Sequence, residues 1–230
     1  MHDIITGIDA RLAELELRLA YSTILGVNVT SSHPTLVAMI RKEEEFFKAF
    51  FTSQEELISN PNISAFRRLY WKIGLDPTKV RPSHEALARR VLRGRRIPLI
   101  NNVVDIGNML SLSRLVPIGL YDLDKIAKPL SIVPSSGHET FKPIGSERFR
   151  IDPGIPLLVD NSGLVVHIYG HRDSEHTKIT ETTSKVLAVV YGVKPIDPGY
   201  LASVLEELLS HIKIFVGAEV ETGPVKIVGA

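Results

Sequence analysis

The sequence predicts an α+β fold: a mainly antiparallel sheet flanked by helices. Residues 34–94 carry apolar side chains at helical spacing between capping residues. From Leu99 onward short apolar runs alternate with Gly and Pro, and residues 198–211 return to helical spacing. With 230 residues and 44% apolar side chains the chain can bury a substantial core. It holds no internal repeat, low-complexity tract or linker, so residues 1–230 read as one domain.

The elements follow in order. Leu15, Leu17 and Leu19 alternate with Glu14, Glu16 and Arg18, and the pattern continues through Val29 as a first strand. Over 34–51, Leu36, Met39, Ile40, Phe46, Phe47 and Phe50 offer an apolar side, and Ser53 is placed to cap a short helix over 54–59. Asn62 or Ser64 caps the next helix, which carries Phe66, Leu69, Tyr70 and Ile73 and stops at Gly74. Pro82-Ser83-His84-Glu85 opens another, with Leu87, Val91 and Leu92, ended by Gly94. Strands are expected at 132–134, 141–145, 156–159, 164–169 and 186–191, with Asp160-Asn161-Ser162-Gly163 as a hairpin turn between two of them. Leu201, Val204, Leu205 and Leu208 mark the last helix.

Composition narrows the function. No run of eighteen apolar residues occurs and the start lacks the layout of a signal peptide, so no membrane role and a cytosolic location are expected. The absence of cysteine removes disulfides, thiolate zinc sites and cysteine nucleophiles. The net charge of +1 is unevenly spread: between Arg67 and Arg96 ten basic residues face two acidic ones, giving +8 and leaving −7 on the rest. Such a segment either binds phosphates, with Arg81, Arg89, Arg90, Arg93, Arg95 and Arg96 as the candidates, or is a pair of solvated helices whose arginines meet carboxylates elsewhere. Trp71, the one tryptophan, either stacks on a base or joins the core.

Two stretches carry candidate chemistry. If residues from Val104 onward are helical, Asp105 and Asn108 lie one turn apart and place an acceptor and an amide on one face, to hold an amino group and a ribose or carbonyl. The alternative is that Asp105 caps the helix and Asn108 bonds nearby backbone; Asn101 and Asn102 either present amides at the same mouth or make the turn. Residues 167–176 gather three imidazoles, two carboxylates and a guanidinium. On a strand His167, Tyr169 and His171 point one way. Histidine and carboxylate suit zinc, iron or manganese, but their spacing matches no standard metal-ligand pattern, so a metal is the lesser reading and no cofactor is expected. The favoured reading pairs Arg172 with Asp173 to organise a site in which Glu175 or His176 activates water against an ester; the other is a solvated polar loop.

Residues 100–112, with Asn101, Asn102, Val104-Asp105 and Asn108, are followed by Pro117-Ile118-Gly119-Leu120-Tyr121-Asp122-Leu123-Asp124-Lys125. This text resembles the B3/B4 module of the phenylalanyl-tRNA synthetase β subunit. A looser resemblance through 145–192, and a lead-in at 82–90 similar to that of free-standing members, extend it to about residues 62–193. The resemblance implies a B3/B4-like fold and a module that hydrolyses a wrongly attached amino acid, chiefly tyrosine, from the tRNA end. It implies tRNA or aminoacyl-tRNA as partner; the alternatives are a non-catalytic RNA-binding module and an amino-acid- or metal-binding protein without RNA. It also favours Asp105 and Asn108 as a pocket wall, with Asn101, His171, Arg172 and Glu139, which resembles a recurring acidic position, among the substrate-binding groups. The synthetase pattern has His where this chain has Gly119. That departure touches catalysis more than binding. Asp122 reads as architectural, capping the turn through Lys125. No phosphate-cradling glycine-rich loop is present, so neither ATP use nor tRNA charging is expected.

Overall fold

A computed structural model describes residues 3–217 and 219–229. After β1 (Ile5–Ile8) and a 3-10 turn (Ala10–Leu15) comes the long strand β2 (Leu17–Leu25). The helices α1 (Pro34–Phe50), α2 (Gln54–Ser59), α3 (Pro61–Lys72), α4 (Ser83–Leu92) and α5 (Asn102–Arg114) follow. The remaining elements are β3 (Ile118–Asp122), β4 (Leu130–Pro134), β5 (Thr140–Phe141), β6 (Phe149–Arg150), β7 (Pro156–Asp160), β8 (Val165–Ile168), β9 (Arg172–Asp173), β10 (Lys185–Val193), α6 (Pro198–Phe215), β11 (Glu221–Thr222) and β12 (Lys226–Val228).

Two sheets result. One has the order β11-β2-β10-β3 with β12 also on β2, and all its pairings are antiparallel. The other has the order β1-β4-β7-β8-β9, antiparallel except that β1 joins β4 in parallel. Helices α5 and α6 pack on the first sheet. The second sheet meets it from the other side, where Tyr169, just after β8, reaches the carbonyls of Arg18 and Gly192. Strand β10 is therefore sandwiched, and eight of its nine residues are buried. That is why it reads as an unbroken apolar run rather than an alternation. The close approach of α6 requires Gly192, where a Cβ would stand 2.4 Å from Leu201 Cδ1.

The caps explain where the helices start. Ser53 accepts from Glu56 N–H at 3.1 Å, as expected. The cap of α3 is Asn60, not Asn62 or Ser64, because Pro61 behind it takes the first helical position, where its missing N–H costs nothing. The first strand begins later than the leucine alternation suggests. Asp9 accepts from Arg11 N–H and starts the 3-10 turn, and Glu16 takes a left-handed conformation (φ 50°), so Leu15 falls outside the strand. Gly26 (φ 75°) ends it before Val29. Asp122 does accept from Asp124 N–H and pair with Lys125. Trp71 is not a core residue; it is 58% exposed on α3. Among the described residues no helix is long and apolar enough to cross a membrane.

Candidate active-site cavity

The start of α5 is built by its own polar residues. Asn101 accepts from Val104 N–H (2.9 Å) as the N-cap. Asn102 accepts from Thr30 N–H (3.0 Å) and donates to the Asn28 carbonyl (2.9 Å). Asp105, fully buried, accepts from Ile100 N–H (2.7 Å) and from the Ser32 hydroxyl (2.6 Å). Both of its oxygens are engaged and none of it meets solvent. Asn102 and Asp105 thus fix α5 to the segment between β2 and α1, while Asn101 caps the helix; the side-chain oxygens of Asn101 and Asp105, expected to hold substrate, are spent inside the fold.

One turn beyond Asp105 the helix meets a cavity of about 110 Å³. Asn108 lines it from α5, Ile118 and Leu120 from β3, and Asp173 from β9. Ile100 and Ile144 are exposed at its rim. Gly107 also faces it, with Leu120 packed so tightly that a Cβ would sit 2.7 Å from its Cδ1. No described residue hydrogen-bonds the Asn108 amide. The walls are apolar and the polar groups are Asn108, Asp173 and Lys178, a few convergent groups in a cavity smaller than a whole-ligand pocket of about 300–1,000 Å³.

Asp173 is held from behind. Register places it opposite His167, whose Nδ1 lies 2.8 Å from Asp173 Oδ1. His167 Nε2 accepts the N–H of Gly170 (3.0 Å), so the ring proton sits on Nδ1 and is donated to the carboxylate. Gly170 turns the chain here at φ 66°, and a side chain on it would strike Phe66. His167 is buried and stacks on Tyr191 at 4.4 Å, and the Tyr191 and Tyr121 hydroxyls are 2.8 Å apart. Burial, reinforced by the Asp173 charge, pushes the Tyr121 phenol well above its ordinary value, so it stays a hydroxyl beside the carboxylate. Tyr121 also accounts for Gly119: a Cβ at residue 119 would stand 1.9 Å from the Tyr121 Oη. The hydroxyl occupies the room that a histidine there would need.

The other expected groups lie elsewhere. The Glu175 carboxylate is paired with Lys178, which holds it below the usual range, and it faces a separate surface hollow with Lys142 and Arg148. His176 is exposed on the 3-10 turn that the Ser174 side chain caps. Neither lines the cavity, so the trio Asp173, Glu175 and His176 does not assemble. Glu139 accepts from Ser136 and Gly137 N–H groups and organises its own turn. Its partial burial would raise the acid, but those bonds outweigh it and keep it low. Arg172 does not pair with Asp173; it donates to the Ser146 hydroxyl (3.0 Å). His171 turns away from the cavity and bonds the Arg81 carbonyl through Nδ1 (3.2 Å), because the Gly170 turn breaks the alternation that would have aligned it with His167.

The basic segment divides. Arg67 and Arg89 hold the buried Glu85 at 2.8 Å each, and Arg96 meets Glu44 (2.8 Å) and Glu45 (2.7 Å). Arg81, Arg90, Arg93 and Arg95 gather with Arg89 around a cleft that no carboxylate lines.

Four positions escaped the sequence reading: His167 as orienter, Gly170, and the Tyr121–Tyr191 pair. Only the six-residue interval between His167 and Asp173, which a tight hairpin converts into a cross-strand pair, signals any of them.

Over 106 residues the chain is 32% identical to the phenylalanine–tRNA ligase beta subunit of Nitrobacter winogradskyi, covering 46% of this chain and 13% of that protein. Over 96 residues it is 25% identical to the same subunit of Mycoplasma genitalium, covering 42% and 12%. The chain thus spans about an eighth of the curated relatives it matches. In coordinates, 99% of it aligns with 51% of an N-terminal fragment of the Pyrococcus horikoshii phenylalanyl-tRNA synthetase β-subunit, at 18% identity and a TM-score of 0.47. A family match runs past the residue 193 expected from the motifs and takes in α6. Matched from residue 65 to 215, more than half its length, the chain belongs to the B3/4 domain family.

Proposed function

We propose that this chain binds the aminoacylated end of a tRNA and hydrolyses the ester in trans. The observation that carries the reading is the meeting, in one cavity, of the open Asp173 carboxylate, oriented by His167, with the unpartnered Asn108 amide. Asp173 takes a proton from water as the water oxygen attacks the ester carbonyl. The Asn108 amide donates to the oxygen on which negative charge develops. The carbonyl carbon then releases the ribose oxygen, which recovers the proton from Asp173, leaving a free amino acid and an uncharged tRNA. The apolar walls of Val104, Ile118 and Leu120 exclude bulk water from the ester. Arg81, Arg90, Arg93 and Arg95 supply phosphate contacts, and exposed Trp71 remains available to stack on a base. This reading also makes tRNA the partner.

A second reading, binding without hydrolysis, has one observation in its favour: at Gly119 a tyrosine hydroxyl stands where the synthetase pattern has a histidine. The test is release of amino acid from tyrosine-charged phenylalanine tRNA, with correctly charged tRNA as control. Hydrolysis that disappears in Asp173→Asn while tRNA binding persists is expected. Undiminished hydrolysis in that variant would overturn the mechanism, and salt-sensitive binding without any hydrolysis would leave the binding module.

A further inference from the structure

On the opposite side of the β8–β9 hairpin from Asp173 lies a second depression of about 360 Å³, a size within the usual small-ligand range. Its floor is aliphatic, with Leu75 and Val80 from the segment between α3 and α4 facing Ile168 of β8. Phe149, 40% exposed, stands at one side, its ring set edge-on against Phe141. The polar groups are of two kinds. Arg150 and Arg172 are cations. Asp152 and His171 are acceptors, because the bond from His171 Nδ1 to the Arg81 carbonyl puts the ring proton there and leaves the Nε2 lone pair without a protein partner. Burial keeps that imidazole neutral, lowering it to about 4. Among the described residues neither Arg150 nor Asp152 makes an ion pair.

We infer that this groove binds a nucleotide, taking a base with hydrogen-bond donors against Phe149 and the aliphatic floor and its phosphate at Arg150 and Arg172. A flat apolar body, an anion and donors directed at two acceptors are all required at once. A simple apolar acid leaves Asp152 and His171 unused. Guanine, whose ring N–H and amino group lie side by side, matches a carboxylate best. Location supports the same ligand: Arg81, whose carbonyl holds His171, also lines the arginine cleft, so the groove continues the basic track. The inference rests on the reading that the chain handles RNA and adds to it a base-reading site distinct from the ester cavity.

The test is a titration of the full chain with GMP, UMP, guanosine and inorganic phosphate, followed by backbone amide NMR. GMP is expected to shift the amides of Leu75, Ile168 and His171 and to bind more tightly than UMP or guanosine. Phe149→Ala, with an unchanged amide spectrum outside β5 and β6 as the check on its fold, is expected to weaken GMP at least about fivefold, since it removes stacking, and Arg172→Ala to narrow the gap between GMP and guanosine. Equal shifts with inorganic phosphate alone, shifts centred on Asp173 instead, or no loss in Phe149→Ala would each overturn the inference. Hydrolysis of charged tRNA without GMP binding would sink the groove alone. GMP binding without hydrolysis would sink only the esterase reading.

Discussion

Arg89→Ala separates the two kinds of arginine in the basic segment. Arg89 is 8% exposed and its Nε lies 2.8 Å from Oε1 of Glu85, a fully buried carboxylate whose other cation is Arg67. Removing one partner of a buried ion pair costs about 3–5 kcal/mol, because the remaining charge cannot reach water. Arg67 stays in place, so the lower end applies, about 3 kcal/mol. For a domain of this size that is a fall of about 6–12 °C in Tm. The double variant Arg93→Ala/Arg95→Ala changes two exposed side chains that make no ion pair among the described residues, so its Tm should match the parent. Each phosphate contact it loses lowers the salt slope of tRNA binding by about 1. Thermal melts and binding measured across a salt series read both quantities. An Arg89→Ala melt within about 1 °C of the parent would refute the assignment of Arg89 to the core. So would a double variant that loses stability while keeping its salt slope.

Three further outcomes follow from single contacts. Gly119→Ala forces a methyl group onto the Tyr121 hydroxyl and is expected to cost about 1–3 kcal/mol of unfolding free energy in denaturant titration; no change would mean that the tyrosine moves aside freely. Asn101→Ala removes a helix cap and should cost about 1 kcal/mol by the same measurement while leaving tRNA affinity unaltered. His84 is fully buried with neither ring nitrogen bonded, and burial lowers it from 6.5 to about 3. The unfolded chain takes up this proton below pH 6.5 and the folded one does not until about pH 3, so its contribution is lost as pH falls through that window, by about 1.4 kcal/mol per unit. His84→Phe should flatten the acid side of the stability profile by up to one proton's worth, and a slope identical to the parent's would exclude His84 as its source.

Local signals carried much of the fold. The ends of α1, α2 and α4 follow from Pro34, Ser53 and Gly94, whose backbone and side-chain chemistry acts within a turn, and the hairpin of β7 and β8 turns at 160–163 as its residues suggest. What escaped is non-local. Strand β1 has four residues and finds its parallel partner 125 positions later, at Leu130, so nothing near it announces a strand. The site divides the same way. Asn108 and Asp173 were legible as polar residues in suggestive company, and the structure brings these two together. In the dense cluster at 167–176 nearness along the chain is not nearness in space: the Gly170 turn sends His167 and Asp173 to one side of the hairpin and His171 and Arg172 to the other. Asp105 was misplaced for a related reason. A carboxylate in a motif gives no sign, from sequence, that a serine 73 residues earlier will occupy it.

The central pairing of β2 with β10 joins Leu25 to Lys185 and Leu17 to Val193. On a ribosome adding about 5–20 residues per second, the first of these strands waits roughly 8–30 seconds for its partner to be made. Throughout that interval Leu17, Leu19, Tyr21 and Ile24 have no finished sheet to enter, while the five helices between can form turn by turn. Nascent chains should therefore collapse late, and the early strand is the segment a chaperone would meet first.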